Sequence, residues 1–166
     1  MSTTRVRSII LESDIQAIKS IEHESFAHPW DDDDFSSYFY RGPGLGFVAE
    51  DDERIVGYLL YHTTPLRLHI NSLAVSEKGR GIGRKLVERV KRCLARSKRN
   101  EIVTTVWERN LEAQVFFRSL GFRCVKIDHS AYESMDDAGY VFRFRANSFT
   151  EGNRIAKYYA EQNSQL

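Results

Sequence analysis

The apolar residues of one stretch change parity partway along it: Leu66, Leu68 and Ile70 fall on even positions, Leu73 and Val75 on odd ones. A regular strand turns successive side chains to opposite faces, so it buries one parity and exposes the other. Residues 66–75 keep both sets on one face only by carrying an extra residue, which predicts a β-bulge near Asn71-Ser72. A bulge leaves backbone groups unpaired and bends the strand away from its neighbour, an arrangement that recurs beside active sites. Directly after it come Lys78-Gly79-Arg80-Gly81-Ile82-Gly83, then Ile82, Leu86, Val90 and Leu94 at helical spacing. Strand, glycine loop and helix together aim free backbone N–H groups and the positive end of a helix at an anion. Glycines at alternate positions let a phosphate touch the main chain without meeting a Cβ. The spacing is neither the G-x-G-x-x-G of dinucleotide folds nor the G-x-x-x-x-G-K-[ST] of nucleoside triphosphate loops, and a tight turn that needs glycine for geometry alone is the other use for it.

Periodicity and breakers place the rest. A short strand is expected at 6–11 and a helix at 14–26, with Ile15, Ile18 and Ile21 on one side. His28-Pro29-Trp30 ends that helix, because the residue before a proline is pushed out of the α region. Asp31 caps a second short helix that stops at Arg41-Gly42-Pro43. Strands at 46–50 and 54–61 form a hairpin around Asp51-Asp52-Glu53. A strand at 102–106, a helix opening at Asn110 and strands at 122–128 and 140–146 complete a mixed α/β sheet. No repeat or linker divides the chain, so residues 1–148 read as one domain, followed by a tail, 149–166, with a terminal helix near 151–161.

Charge separates the possible partners. Lys and Arg number 24 against 23 Asp and Glu, so the whole molecule is no polycation. Residues 1–77 hold six basic and thirteen acidic side chains, and residues 78–166 hold eighteen and ten, a split that suits two differently charged partners. Between 78 and 99 stand ten basic residues and one acid, Glu88; the loop end of this run, Lys78, Arg80, Arg84 and Lys85, favours a multiply charged phosphate. The same residues surround their helix without interleaved aromatics, so no nucleic acid is expected. The four acids from Asp31 onward are a cap plus charges favoured by the positive helix end, and the acidic half as a whole would attract a basic acceptor. Cys93 and Cys124 are too few for a disulfide framework and form no metal-spaced cluster, so no metal is expected. No apolar run reaches membrane-span length and nothing at the N-terminus has signal-peptide character, so the expectation is a soluble, cytoplasmic protein without a membrane partner.

Leu73-Ala74-Val75, then Lys78-Gly79-Arg80-Gly81-Ile82-Gly83-Arg84-Lys85-Leu86, then Asn110-Leu111-Glu112-Ala113 and Phe116-Phe117 ahead of Leu120-Gly121-Phe122 resemble the acetyl-CoA-binding core of the GNAT superfamily of N-acetyltransferases, in the right order and over about half the chain. Phe26-Ala27-His28-Pro29-Trp30 and Asp137-Ala138-Gly139-Tyr140-Val141-Phe142 resemble the ribosomal-protein-alanine N-acetyltransferase branch. The resemblance implies a GNAT-type mixed, mostly antiparallel sheet with a β-bulge and splayed central strands, flanked by helices. It implies acetyl-CoA (coenzyme A) as donor, bound by Leu73, Ala74, Val75, Lys78, Gly79, Arg80, Gly81, Ile82, Gly83, Arg84, Asn110 and Phe117. Leu73 and Val75 would pair with the pantetheine arm as if it were a strand, and the amides from Arg80 to Arg84 would hold the pyrophosphate. Asn110 would hydrogen-bond the arm, a role compatible with its reading as a helix N-cap. Three positions depart from the family pattern: Lys78 stands where Gln or Arg opens the phosphate loop, Phe117 where a tyrosine acid is usual, and Thr105 where the ribosomal branch places a glutamate base.

Acetyl transfer to an amine requires a neutral amine, an oxyanion donor and a proton for the departing thiolate. The bulge supplies the donor, an N–H of Ser72 or Leu73. His69, before the bulge, is the candidate base, at an offset where other branches of the superfamily carry histidine or glutamate; a strand histidine without a chemical role is the alternative. Glu108 is a second candidate base and Tyr132 the candidate acid in place of Phe117, with a plain packing role as the alternative for Tyr132. A histidine near 6.5 takes a proton from a lysine amine at a cost of about 5 kcal/mol, but from an α-amino group near 8 at only about 2 kcal/mol. The expected acceptor is therefore a protein N-terminus, with a small-molecule or antibiotic amine as the second reading and a catalytically silent acyl-CoA-binding module as the third. A monomer or homodimer is expected.

Overall fold

The computed structural model describes residues 4–132 and 137–146. Seven strands, β1 (Arg5–Ser8), β2 (Leu45–Asp51), β3 (Arg54–Thr63), β4 (Arg67–Val75), β5 (Glu101–Trp107), β6 (Arg123–Tyr132) and β7 (Asp137–Arg145), form one sheet in the order β1-β2-β3-β4-β5-β7-β6. Among them only β4 and β5 run parallel. Helix α3 (Ile82–Ala95) makes that crossover and, with α4 (Leu111–Ser119), covers one face. Helices α1 (Leu11–Ser25) and α2 (Asp32–Ser36) cover the other, α2 running on as a π-helical turn, Ser37–Arg41. This is the mixed, mostly antiparallel sheet expected from the motifs. The expected terminal helix near 151–161 lies outside the described residues.

Two apolar layers hold the sheet. On one side Ile82, Leu86, Val90 and Leu94 of α3 pack with Phe47, Leu59, Leu68 and Ile70, and the layer continues through Phe117, Phe122 and Phe142. On the other, Ile18, Ile21, Phe35 and Tyr38 pack with Val48, Tyr58, Leu60 and Ala74. The parity change in β4 is visible in this division. Leu68 and Ile70 belong to the α3 layer, Leu73 and Val75 pack against the same layer, and Ala74 belongs to the α1 layer. The register with β3 jumps from Leu60↔Ser72 to Tyr61↔Ile70, which leaves Asn71 as the extra residue of the bulge.

Several boundaries differ from expectation, each for a reason beyond local pattern. β1 stops at Ser8 and α1 starts at Leu11 rather than near Asp14, because the Asp14 carboxylate reaches back to accept the Ile10 N–H at 2.8 Å and the Arg7 guanidinium at 2.7 and 3.0 Å. Asp51 belongs to β2, so only Asp52 and Glu53 make the turn, at φ 47° and 64°, the left-handed geometry that suits a two-residue hairpin. β6 and β7 are longer than expected, and Tyr132, expected in a loop, ends β6. Asp31 caps α2 as expected, in a reciprocal capping box with Asp34.

Asp14 is 2% exposed, and Arg7 joins it to Glu50 across three elements. Burial pushes its carboxyl up, but hydrogen bonds from Arg7, the Ile10 amide and Ser13 outweigh that and hold it below the usual range. A depressed carboxyl contributes stability that is complete above its unfolded value, near 3.9, and disappears as pH falls from there through the folded value. Acid unfolding should therefore steepen below about pH 4, and Asp14→Asn should cost about 1.5–3 kcal/mol at pH 7 while flattening that limb. Chemical denaturation at a series of pH values measures both.

Candidate active site

β4 pairs with β5 only from Arg67↔Glu101 to Ile70↔Thr104. Thr104 Oγ1 closes the last rung, donating to the Ile70 carbonyl at 3.2 Å. Past the bulge the two strands diverge, and the opening is a cleft of about 540 Å³ that runs from residues 71–75 past the glycine loop to α4 and β5. Hydrogen bonding alternates along an antiparallel strand. The Ser76 N–H reaches the Val56 carbonyl at 3.0 Å, so Ala74 and Ser76 direct their main-chain groups to β3, while Leu73 and Val75 direct theirs to the side β5 has left. Residues 73 and 75 thus present a short free strand edge to the cleft.

The loop meets that edge at its end. Gly79 and Gly81 have φ of 81° and 74°, and a Cβ at either would meet nothing within 4 Å. Gly81 is the N-cap of α3 and contributes no side chain. Its carbonyl accepts the Lys85 N–H at 3.1 Å, the first bond of the helix, so the N–H groups of Ile82, Gly83 and Arg84 have no intrahelical partner. At Gly83 a Cβ would press on the Phe116 ring at 3.2 Å, which packs the loop against α4. Open space over two left-handed glycines beside unpaired amides is the cradle a diphosphate needs.

Most expected donor-site residues meet here. Leu73, Ala74, Val75, Lys78, Gly79, Gly81, Ile82, Gly83, Arg84, Asn110 and Phe117 all line the cleft. Asn110 is the N-cap of α4, its Oδ1 accepting the Ala113 N–H at 3.0 Å. Lys78 pairs with Glu112 at 2.6 Å, linking the loop to α4. Phe117 is 4% exposed and stands edge-on to Phe122, at once core and cleft floor. Arg80 is the exception. Its guanidinium is tied to Asp51 at 2.7 Å and Glu77 at 3.0 Å, and it lines a separate groove under the β2–β3 turn.

The expected proton carriers divide. Tyr132 lines the cleft, with burial pushing its hydroxyl above the ordinary value. His69 does not: it precedes the bulge and stacks on His62 with ring centroids 4.6 Å apart. Burial, then the neighbouring His62 and Arg67, push the His69 imidazole below its ordinary value. Glu108 is also absent from the cleft wall, its main chain engaged with Ala138 and Gln114. Thr105 lines the cleft, as does His28, whose ring meets Trp107 edge-on at 6.5 Å.

Glu22 was not singled out by motif. It is 2% exposed at the end of α1 and lines the cleft. Its Oε1 accepts the Trp30 N–H at 3.0 Å, and its Oε2 accepts the Ser72 hydroxyl at 3.2 Å and the Tyr58 hydroxyl. The signal was present: residues 15, 18 and 22 share one helical face, and the third is a carboxylate on an apolar stripe. Among the described residues no group of three or more His, Cys, Asp or Glu is placed to hold a metal, and no helix is long and apolar enough to cross a membrane.

The profile described as the acetyltransferase (GNAT) family matches residues 15–122. An uncharacterized N-acetyltransferase of Methanocaldococcus jannaschii is 31% identical over 138 residues, covering 81% of this chain and 88% of its own. Similar solved structures include the ribosomal-protein-S18-alanine N-acetyltransferase of Escherichia coli (21% identity, TM-score 0.74, 86% of this chain and 94% of that one). Arabidopsis thaliana NAA60 in complex with a bisubstrate analogue is another (20% identity, TM-score 0.75, 87% and 99%); at these identities both bear on the fold alone. The profile match over more than half the sequence and the archaeal relative agree with the cleft geometry, and the chain belongs to the GNAT acetyltransferase family.

Proposed function

We propose that this protein transfers the acetyl group of acetyl-CoA to a primary amine, and that the amine is a protein N-terminus. The observation that carries the reading is the free edge of β4 at residues 73 and 75 leading straight into the open glycine cradle at 79–84. Bound acetyl-CoA supplies an activated thioester. Leu73 and Val75 offer main-chain groups to its pantetheine arm, Asn110 stands beside them, and the amides at 82–84 meet the diphosphate. By the alternation that the Ser76–Val56 bond sets, Ser72 turns its main-chain groups to β3 and Leu73 turns its N–H to the cleft, so Leu73 rather than Ser72 is the oxyanion donor. Tyr132 is the cleft-lining phenol able to return a proton to sulfur; His69 and Glu108 do not line the cleft. Burial keeps the Tyr132 phenol protonated, so the proton it would give to sulfur is in place at neutral pH.

The N-terminal acceptor rests on the lower proton-transfer cost of an α-amine, which holds for any carboxylate or imidazole base. Purified protein mixed with acetyl-CoA and a panel of peptides and small amines tests the reading through thiol release. The expected result is acceptor-dependent release that is fastest with peptides. Faster release with small amines would move the assignment to a small-molecule acetyltransferase, and cofactor binding without acceptor-dependent thiol would leave a silent binding module.

A further inference from the structure

A carboxylate taken almost wholly out of water is costly unless a cation or several donors compensate it. Glu22 has three donors and, among the described residues, no ion pair. Those donors come from three different places: the Trp30 amide in the loop after α1, the Tyr58 hydroxyl of β3 and the Ser72 hydroxyl at the bulge of β4. Tyr58 and Ser72 also touch each other, at 2.9 Å, so the group is a closed buried network. Glu22 and Ser72 both line the cleft, on the side where the Phe26 to Trp30 loop forms the wall. The network therefore begins at the residue next to the oxyanion donor Leu73 and ends on a carboxylate.

We propose that the Ser72 hydroxyl and Glu22 take the proton from the incoming amine, Ser72 as the contact and Glu22 as the acceptor behind it. The inference rests on the acetyl-transfer reading. An acceptor arriving as an ammonium gives an N–H proton to Ser72 Oγ while the Ser72 hydroxyl proton passes to Glu22 Oε2. Neutral amine and a protonated Glu22 remain. The nitrogen lone pair then forms the C–N bond, the C–S bond breaks, and Tyr132 gives its hydroxyl proton to sulfur and takes up the proton shed by nitrogen; Glu22 later releases its own proton to solvent. No further reactant is needed. Burial, the largest influence, pushes the Glu22 carboxyl up, and the Trp30 and Ser72 hydrogen bonds pull it back. His23 on α1 draws it down slightly and Asp34 on α2 raises it. The net upward direction makes a better proton acceptor of Glu22 than an exposed carboxylate.

The test compares wild-type protein with Glu22→Gln and Ser72→Ala, using acetyl-CoA and the panel amine that gives fastest wild-type thiol release, with kcat/KM measured from pH 6 to 10. Glu22→Gln should lower the rate about 100-fold at neutral pH and leave acetyl-CoA affinity within twofold by calorimetry. The deficit should shrink steadily above the pKa of the amine, where the acceptor arrives neutral and needs no base. Ser72→Ala should follow the same profile, and it decides the matter if Glu22→Gln does not fold. A deficit that stays constant across pH would mean that the network only props the walls and would overturn the proposal, as would activity within threefold of wild type in both variants. Wild-type protein that releases no thiol with any amine removes the transfer reading and this proposal together; wild-type turnover with a pH-independent deficit removes this proposal alone.

Discussion

Gly81→Val should abolish useful acetyl-CoA binding. Gly81 sits at φ 74° with nothing within 4 Å of where a Cβ would stand, so the substitution meets no protein atom and acts through two other routes. The branched side chain fills the space over the cradle and displaces the diphosphate from the amides at 82–84. Charge-assisted bonds of this kind are worth about 1.5–3 kcal/mol each, so losing one or two weakens affinity by roughly 100-fold. Valine in the left-handed region also costs about 1–3 kcal/mol in the folded chain, which lowers the melting temperature by roughly 3–10 °C. Calorimetric titration with acetyl-CoA, beside a thermal melt of the free protein, separates the routes. A melting shift without an affinity change would remove the loop from the donor site.

Phe117→Ala should show the reverse balance, with stability the dominant loss. The Phe117 ring is buried between Phe116, Phe122 and Phe142, with centroid separations of 5.2, 5.2 and 6.5 Å. Truncating such a ring costs about 3–5 kcal/mol, part transfer and part cavity. In a domain of this size the melting temperature falls by roughly 6–20 °C. Because Phe117 also floors the cleft, acetyl-CoA affinity should weaken as well, though less than in Gly81→Val. A melting shift under about 3 °C would show that the ring is not shared between core and cleft in the way its contacts imply.

What could be read from the amino acids, and what could not, follows the range of the interactions involved. The β4 bulge was legible because period-two alternation is a local rule and its violation names the place: Leu68 and Ile70 against Leu73 and Val75, with Asn71 as the extra residue. The glycine cradle was legible for the same reason, as φ preference is a property of single residues. The start of α1 was not, because Asp14 answers to Arg7, which also holds Glu50 on β2. β6 was legible only as far as residue 128: almost all of its residues are exposed, and what carries it on to Tyr132 is main-chain pairing to β7. His69 illustrates the limit of counting along a chain. Its offset from Leu73 suggested the cleft, but it lies on the other side of the bulge, where β4 is still paired to β5 through Val103 and its ring stacks on His62. Arg80 shows the same limit, since its partner Asp51 lies 29 positions away. Glu22 was readable in principle as a carboxylate on an apolar stripe, and only the fold shows that Trp30, Tyr58 and Ser72 converge on it.

Nuclear magnetic resonance of the amide-labelled protein, titrated with coenzyme A, bears most directly on the claim that main chain grips the donor. The largest saturating shifts should fall on the N–H groups of Leu73, Val75, Gly79, Gly81, Ile82, Gly83 and Arg84, with Gly81→Val removing them. Shifts centred instead on the β2–β3 turn around Asp52 and Glu53, or no saturable change at residues 73–84, would contradict it.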